Sequence, residues 1–151
     1  MPRAPFQVLI IPFRRAVDSL QYCIFERTQP KGQMQFIAGG GEDDESPIQA
    51  AARECFEEAR IKGEKLVELT SSCHIPSSIF SREQREAWGR EVLVIPEYSF
   101  GMEIVSERIT LSDEHTAHSW VSYEQALSLL KWDSNKTALY ELDSKIKMHI
   151  I

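Results

Sequence analysis

One stretch constrains the fold more than any other: "SPIQAAARECFEEA", Ser46 to Ala59. Ser46 suits an N-cap, Pro47 suits the first helical position, and Gln49 stands three residues after the serine, so a capping box opens an Ala- and Glu-rich run. These signals predict a helix from Pro47 to about Ala59. Ile48, Ala51, Ala52, Cys55 and Ala59 recur at spacings of three and four, the period of an amphipathic helix lying on a sheet. The same helix carries Glu54, Glu57 and Glu58 at i, i+3 and i+4, where side chains are neighbours. Close like-charge pairs of this kind destabilise an isolated helix by roughly a few tenths of a kcal/mol each, and Arg53, four residues before Glu57, offsets only part of that. Two readings stand: a solvated acidic face, or carboxylates held by a hard cation such as Mg²⁺, which selects oxygen ligands.

The segments around the helix read as strands. Gln7 to Phe13 and Gln21 to Glu26 are β-branched and aromatic runs joined by "RRAVDS", which predicts a hairpin, with Pro12 arguing for an edge or a bulge. "TQPKGQ" is a loop, and "MQFIAGGG" a short strand ending in three glycines. Lys65 to Ser72, Glu91 to Pro96, Phe100 to Val105 and His118 to Val121 are further strands, with Trp120 a core aromatic. "PSSIFSREQREAWG" reads as a polar loop placed to lie over a site. Two C-terminal helices follow, with Ser122 and Ser134 as caps. Strands interleaved with a central helix and closed by helices indicate an α/β or α+β layer architecture.

Composition narrows the function. A chain of 151 residues with 42% hydrophobic and 26% charged residues fits one globular domain, 1–151, with no internal repeat. The formal net charge of −6, without a Lys/Arg-rich run, disfavours a nucleic-acid polymer as partner. The N-terminal apolar run is too short for a membrane span, and a cytoplasmic protein is expected. Cys23, Cys55 and Cys73 form no CxxC pair and read as small buried apolar residues in a reduced compartment.

Counting back from "RECFEE" gives Gly39-x5-Glu45-x7-Arg53-Glu54-Cys55-x-Glu57-Glu58-x-Arg60-Ile61. This resembles the Nudix box, G-x5-E-x7-R-E-U-x-E-E-x-G-U, where U is a bulky aliphatic residue. The six leading fixed positions would coincide by chance about once in 10⁵ chains of this length, given average residue usage. Two positions depart from the pattern. Cys55 replaces the aliphatic residue, and Arg60 replaces the last glycine, so either Arg60 takes positive φ at a cost of about 1 kcal/mol or the helix runs on towards Gly63. Downstream, Glu114, His115, Trp120, Trp132, Ser134, Asn135 and Lys136 are similar to the dATP pyrophosphohydrolase / dihydroneopterin triphosphate pyrophosphatase branch of the family.

The resemblance implies an α/β/α sandwich with a mixed central sheet, and Mg²⁺-dependent, or Mn²⁺-dependent, hydrolysis of a small phosphoanhydride substrate. Its implied metal ligands are Glu54, Glu57, Glu58 and Glu114, with the backbone carbonyl of Ala38. Glu57 and Glu114 compete for the role of general base; Arg53 would orient the cluster and Glu45 brace the start of the helix. Gly39 and Gly40 would line the substrate side, and Arg27 would meet phosphate. For Glu114 the plain alternative is an exposed loop acid, for His115 an exposed or capping histidine, and for Arg27 an ordinary surface arginine. The leading function is release of pyrophosphate from a nucleoside or pterin triphosphate. Action on a dinucleoside polyphosphate or nucleotide sugar, a silent nucleotide sensor, and a plain acidic scaffold are the alternatives. Oligomeric state is open, a homodimer being one form the family adopts.

Overall fold

The run "VLIIPF" is apolar without alternation, which demands a strand buried on both faces. The computed structural model, which describes residues 2–62, 65–105 and 108–151, meets that demand with β1 (Arg3–Ala16) at the centre of a mixed sheet. β1 turns through Val17 and Asp18 into β2 (Ser19–Arg27), so the expected hairpin forms and extends beyond the predicted segments. Then come β3 (Met34–Gln35), β4 (Ile37–Glu42), α1 (Pro47–Ala59), β5 (Leu66–Pro76), α2 (Arg82–Trp88), β6 (Val94–Glu103), β7 (His115–Val121), α3 (Tyr123–Leu129) and α4 (Asp133–Lys147). The sheet runs β3-β2-β1-β6-β5, with β4 paired to β1 and β7 to β2; among the described residues β1 and β6 are the one parallel pair.

Period two divides the strand residues between two cores. Val8, Ile10, Cys23, Phe25 and Ile37 pack on Ala50, Ala51, Cys55 and Ala59 of α1. Leu9, Ile11, Phe13, Tyr22 and Ile24 face the opposite way, onto Ala126, Leu130, Ala138, Leu139, Leu142 and Ile146 around α3 and α4. The outcome is the expected α/β/α sandwich. Among the described residues no helix is long and apolar enough to cross a membrane.

Several local expectations change. Pro12 lies in the central strand, not on an edge. Pairing with β4 ends at Ile10 and pairing with β2 begins at Phe13, so Pro12 stands where β1 changes partner and a missing donor costs little. Glu91–Pro96 and Phe100–Val105 are not separate strands, because pairing with β1 on one side and β5 on the other carries β6 unbroken through Ser99 and Gly101. A Cβ at Gly101 would crowd Leu142 of α4, which explains a glycine there. β5 runs on to Pro76, and β7 begins three residues early, at His115. The polar loop holds a 3-10 turn at Ser77–Ile79 and α2, capped reciprocally by Ser81 and Gln84, a capping box legible in "SREQ". Ser122 caps α3 as expected, but Ser134 does not cap α4, which starts earlier, after Trp132.

Candidate active site and metal centre

α1 has the predicted bounds and the predicted cap: Ser46 Oγ accepts from the Gln49 N–H, and Gln49 Oε1 from the Ser46 N–H. The face it buries is rotated from the expected one. Ile48 is 47% exposed, whereas Glu54 and Glu58 are 8% and 2% exposed. Two carboxylates therefore occupy positions that an ordinary amphipathic helix would give to aliphatic side chains.

The strand beside α1 is built to receive them. Gly39 packs its bare Cα against the Glu54 carboxylate, where any Cβ would collide with it. The glycine is thus required inside β4, on the sheet, and not in a loop. Arg53 ties the two elements together. Its Nε and Nη2 donate to the two Glu45 oxygens at 2.8 and 3.0 Å, and Nη2 also donates to the Gly40 carbonyl at 2.7 Å. Nη1 donates to Glu54 Oε1 and Glu57 Oε2, each at 3.0 Å. Glu45 accepts the Glu42 N–H as well, closing the turn before the helix. The bond to Arg53 is the main reason the Glu45 carboxyl sits below its usual range.

Glu114 arrives from a distant loop. The N–H groups of Thr110 and Ser112 donate to the carbonyls of Ala59 and Glu58, which the end of α1 leaves free, at 3.0 and 3.3 Å. The Thr28 N–H donates to the Glu114 carbonyl at 2.9 Å, and Thr28 Oγ1 to that of Asp113 at 2.8 Å. So held, Glu114 lies against Glu58 and within electrostatic reach of Glu54. Arg27, opposite His115 in the β2–β7 register, also acts on Glu58, while its guanidinium donates to the Gln29 carbonyl and to Gln35. The structure thus gathers Arg27, Gly39, Gly40, Arg53, Glu54, Glu57, Glu58 and Glu114. Ala38 precedes Gly39 in β4, with its side chain on the α3/α4 face of the sheet.

The surroundings disfavour negative charge on two of these carboxylates. Burial raises the Glu54 carboxyl to about 7 in spite of Arg53. Burial, with Glu114 alongside, pushes Glu58 up to about 10. Both Glu58 oxygens are buried without a hydrogen-bond partner, whereas buried carboxylates are normally bonded or paired. An all-oxygen donor set with two orphaned oxygens fits a hard divalent ion. Among the described residues no three His, Cys, Asp or Glu side chains are already gathered in a ligand arrangement, Glu54 and Glu57 being turned to Arg53.

His115 is neither exposed nor a cap. It is 4% exposed, with Nδ1 4.0 Å from Glu58 Oε2 and Nε2 3.3 Å from Gln35 Nε2. Burial lowers its pKa, which favours the neutral ring beside Glu58. Gln35 and Glu97, both buried polar residues, escaped the sequence reading. Gln35 stands in an expected strand, where alternation alone cannot distinguish it from a solvent-facing residue, and Glu97 falls between the two strands expected at Glu91–Pro96 and Phe100–Val105. Cys73 also departs from the expected burial, being half-buried with its thiol on Glu97.

With this geometry in view, comparison with known proteins is informative. The NUDIX domain profile matches residues 6–142. Dihydroneopterin triphosphate diphosphatase of Escherichia coli K12 is 27% identical over 139 residues, covering 91% of each chain. The Haemophilus influenzae protein of the same name is 26% identical over 134 residues, covering 87% of this chain and 83% of its own. A NUDIX hydrolase structure from Listeria monocytogenes superposes with a TM-score of 0.85 at 42% identity, covering 97% of both chains. The E. coli dihydroneopterin triphosphate pyrophosphohydrolase structure, at 22% identity and TM-score 0.72 over 92% of this chain and 94% of that one, shares the fold.

Proposed function

The chain belongs to the Nudix family of hydrolases, and on that premise we propose that it is a Mg²⁺-dependent pyrophosphohydrolase. It cleaves a (deoxy)nucleoside triphosphate or dihydroneopterin triphosphate to the monophosphate and pyrophosphate. The observation that carries this reading is Glu58, buried at 2% exposure with both oxygens unpartnered beside two further carboxylates. The diphosphatase relatives, alike along nearly the whole chain, support the triphosphate as substrate class.

Glu54, Glu57, Glu58 and Glu114, with the Ala38 carbonyl, are the groups that would hold Mg²⁺, or Mn²⁺ in its place. The ion, when bound, draws charge from the scissile phosphoryl group and lowers the pKa of water at phosphorus. Arg53 bonds Glu54 and Glu57 through Nη1 and so keeps the two carboxylates side by side on one flank of the site, from which they would turn to meet the ion. Gly39 leaves room for the Glu54 carboxylate, and Arg27, within electrostatic reach of Glu58, would offer its planar fork to a phosphate oxygen. Glu57 and Glu114 are both exposed, and one of them takes the proton of the attacking water.

The test is pyrophosphate release from a panel of triphosphates, dinucleoside polyphosphates and nucleotide sugars, with and without Mg²⁺. Release from triphosphates only with the metal, abolished by Glu58→Gln and sharply reduced by Glu57→Gln or Glu114→Gln, is expected. Turnover confined to the other two substrate classes would replace the substrate, and tight nucleotide binding with no turnover would make the protein a sensor.

A further inference from the structure

The α4 side of the sheet carries a second polar group that the reaction above does not use. On β6, Glu97 is 5% exposed and stands in register with Gln7 of β1 and Cys73 of β5. Its Oε2 accepts from Gln7 Nε2 at 2.7 Å, and its Oε1 from the Cys73 thiol at 3.5 Å. Gln7 Oε1 accepts in turn from Arg3 Nη2 at 2.8 Å. Cys73 also meets Ser134 at the start of α4, and Ser134 Oγ accepts from Asn135 Nδ2 at 3.4 Å. Asn135, 5% exposed, keeps a buried and unpartnered Oδ1, and Arg3 a buried and unpartnered Nε.

Side chains from three strands and a helix thus form one bonded array with bonding capacity to spare. Native interiors seldom leave such capacity unused. The cover over the array is incomplete: Glu97 and Asn135 lie at its buried floor, whereas Gln7, Ala38, Gly40 and Cys73 around them are only half-buried although they lie on the covered side of the sheet. It is also continuous with the metal-binding carboxylates. The Arg3 guanidinium occupies the space that a side chain at Gly40 would need, stacks 4.7 Å from the Phe80 ring centroid, and feels the charge of Glu54. Glu54 in turn lies against Gly39, the adjacent residue.

We propose that this array is the ring-recognition end of the substrate site, in which Glu97 accepts two adjacent N–H donors from a 2-amino-4-oxopyrimidine edge, that of guanine or of a pterin. This deepens the hydrolase reading and rests on it. An ionised carboxylate only accepts, so it suits a ring edge that presents a ring N–H beside an amino group. Adenine and cytosine set a ring acceptor beside their amino group, and uracil flanks its N–H with carbonyls; each would point a lone pair at Glu97. Asn135 Oδ1 is available for a further donor, and Arg3 Nε for a ring carbonyl or the first phosphate. Burial holds the Glu97 carboxyl above its usual range, with Gln7 and Cys73 opposing, so added donors would be strongly felt.

The experiment measures kcat/KM for GTP, dihydroneopterin triphosphate, ATP, CTP and UTP with the wild type, Glu97→Gln and Asn135→Ala. Calorimetry follows GMP and AMP binding to each, and thermal melting reports whether each variant is folded. The wild type should prefer the guanine and pterin substrates and bind GMP over AMP. Glu97→Gln should reduce the GTP/ATP ratio of kcat/KM by roughly 10- to 100-fold, mainly through KM. Asn135→Ala should lower the same ratio less, and it reads the site should Glu97→Gln fail to fold. The larger of the GTP and dihydroneopterin triphosphate values identifies the ring source. An unchanged ratio in a folded variant, or a wild type blind to the ring, overturns the proposal and leaves the hydrolase reading standing. GMP selectivity lost in Glu97→Gln, in a protein that hydrolyses nothing, supports ring recognition and sinks the hydrolase reading.

Discussion

Arg60 ends α1 in the left-handed region, φ 57° and ψ 33°, with its N–H donating to the Cys55 and Phe56 carbonyls. The helix therefore stops where a glycine would stop it, and does not continue towards Gly63, itself outside the described residues. The guanidinium lies 5.1 Å from the Phe56 ring centroid, a contact that offsets part of the backbone cost. Arg60→Gly should raise stability by about 0.5–1 kcal/mol, seen as a higher Tm, with no loss of activity. Glu58 gives a pH dependence of definite sign. Its folded pKa of about 10 lies above the ordinary 4.5, so between those values the folded state binds more protons than the unfolded one. Stability of the metal-free protein should therefore fall as pH rises from about 4.5 towards 10. Melting curves across that range should show a flatter dependence in Glu58→Gln.

Between elements, two clasps depend on single side chains. Arg53 bonds α1 to β4 and to the turn before the helix through three donor contacts and holds Glu54 and Glu57 of α1 through two more, an array that a lysine, with one ammonium in place of a planar fork, cannot reproduce. Arg53→Lys should cost about 1–3 kcal/mol in stability and lower kcat more than it raises KM, measurable by denaturation and steady-state kinetics. The second clasp joins α4 to β5. Register between β5 and β6 slips between Glu68 and Ser72, and the freed N–H groups of Thr70 and Ser71 donate to the two Glu141 oxygens, each at 2.7 Å. Burial alone would raise the Glu141 pKa, but Lys145 and those two N–H groups prevail and hold it at about 2. Its stabilisation is therefore complete above pH 4.5 and lost as pH falls through about 2. Glu141→Ala should lose about 1–3 kcal/mol at neutral pH and melt like the wild type in strong acid.

Across the whole molecule, the site exists because distant segments converge on α1. β4 supplies the glycines, the 108–114 loop supplies Glu114, and the edge of β2 supplies Arg27. A cation held as proposed would link α1 to the 108–114 loop through their carboxylates, so Mg²⁺ at about 100 times its Kd should add about 2.7 kcal/mol to stability. Differential scanning calorimetry with and without chelator checks this, and Glu58→Gln should remove most of the gain. Local features are legible in the amino-acid order. The capping box at Ser46, the bounds of α1 and the spacing of Arg53, Glu54, Glu57 and Glu58 are encoded within one helix, where three- and four-residue offsets set neighbourhood directly. The hairpin of the first two strands was legible in the same way, from two apolar runs joined by turn residues. Packing between distant segments is what turns Ile48 out and Glu54 and Glu58 in, keeps β6 unbroken, and buries His115 beside Glu58. It alone decided that Gln7 and Glu97, 90 residues apart, share a hydrogen bond. Burial and pairing of that kind are properties of partners distant in the chain, and no periodicity within a segment reports them.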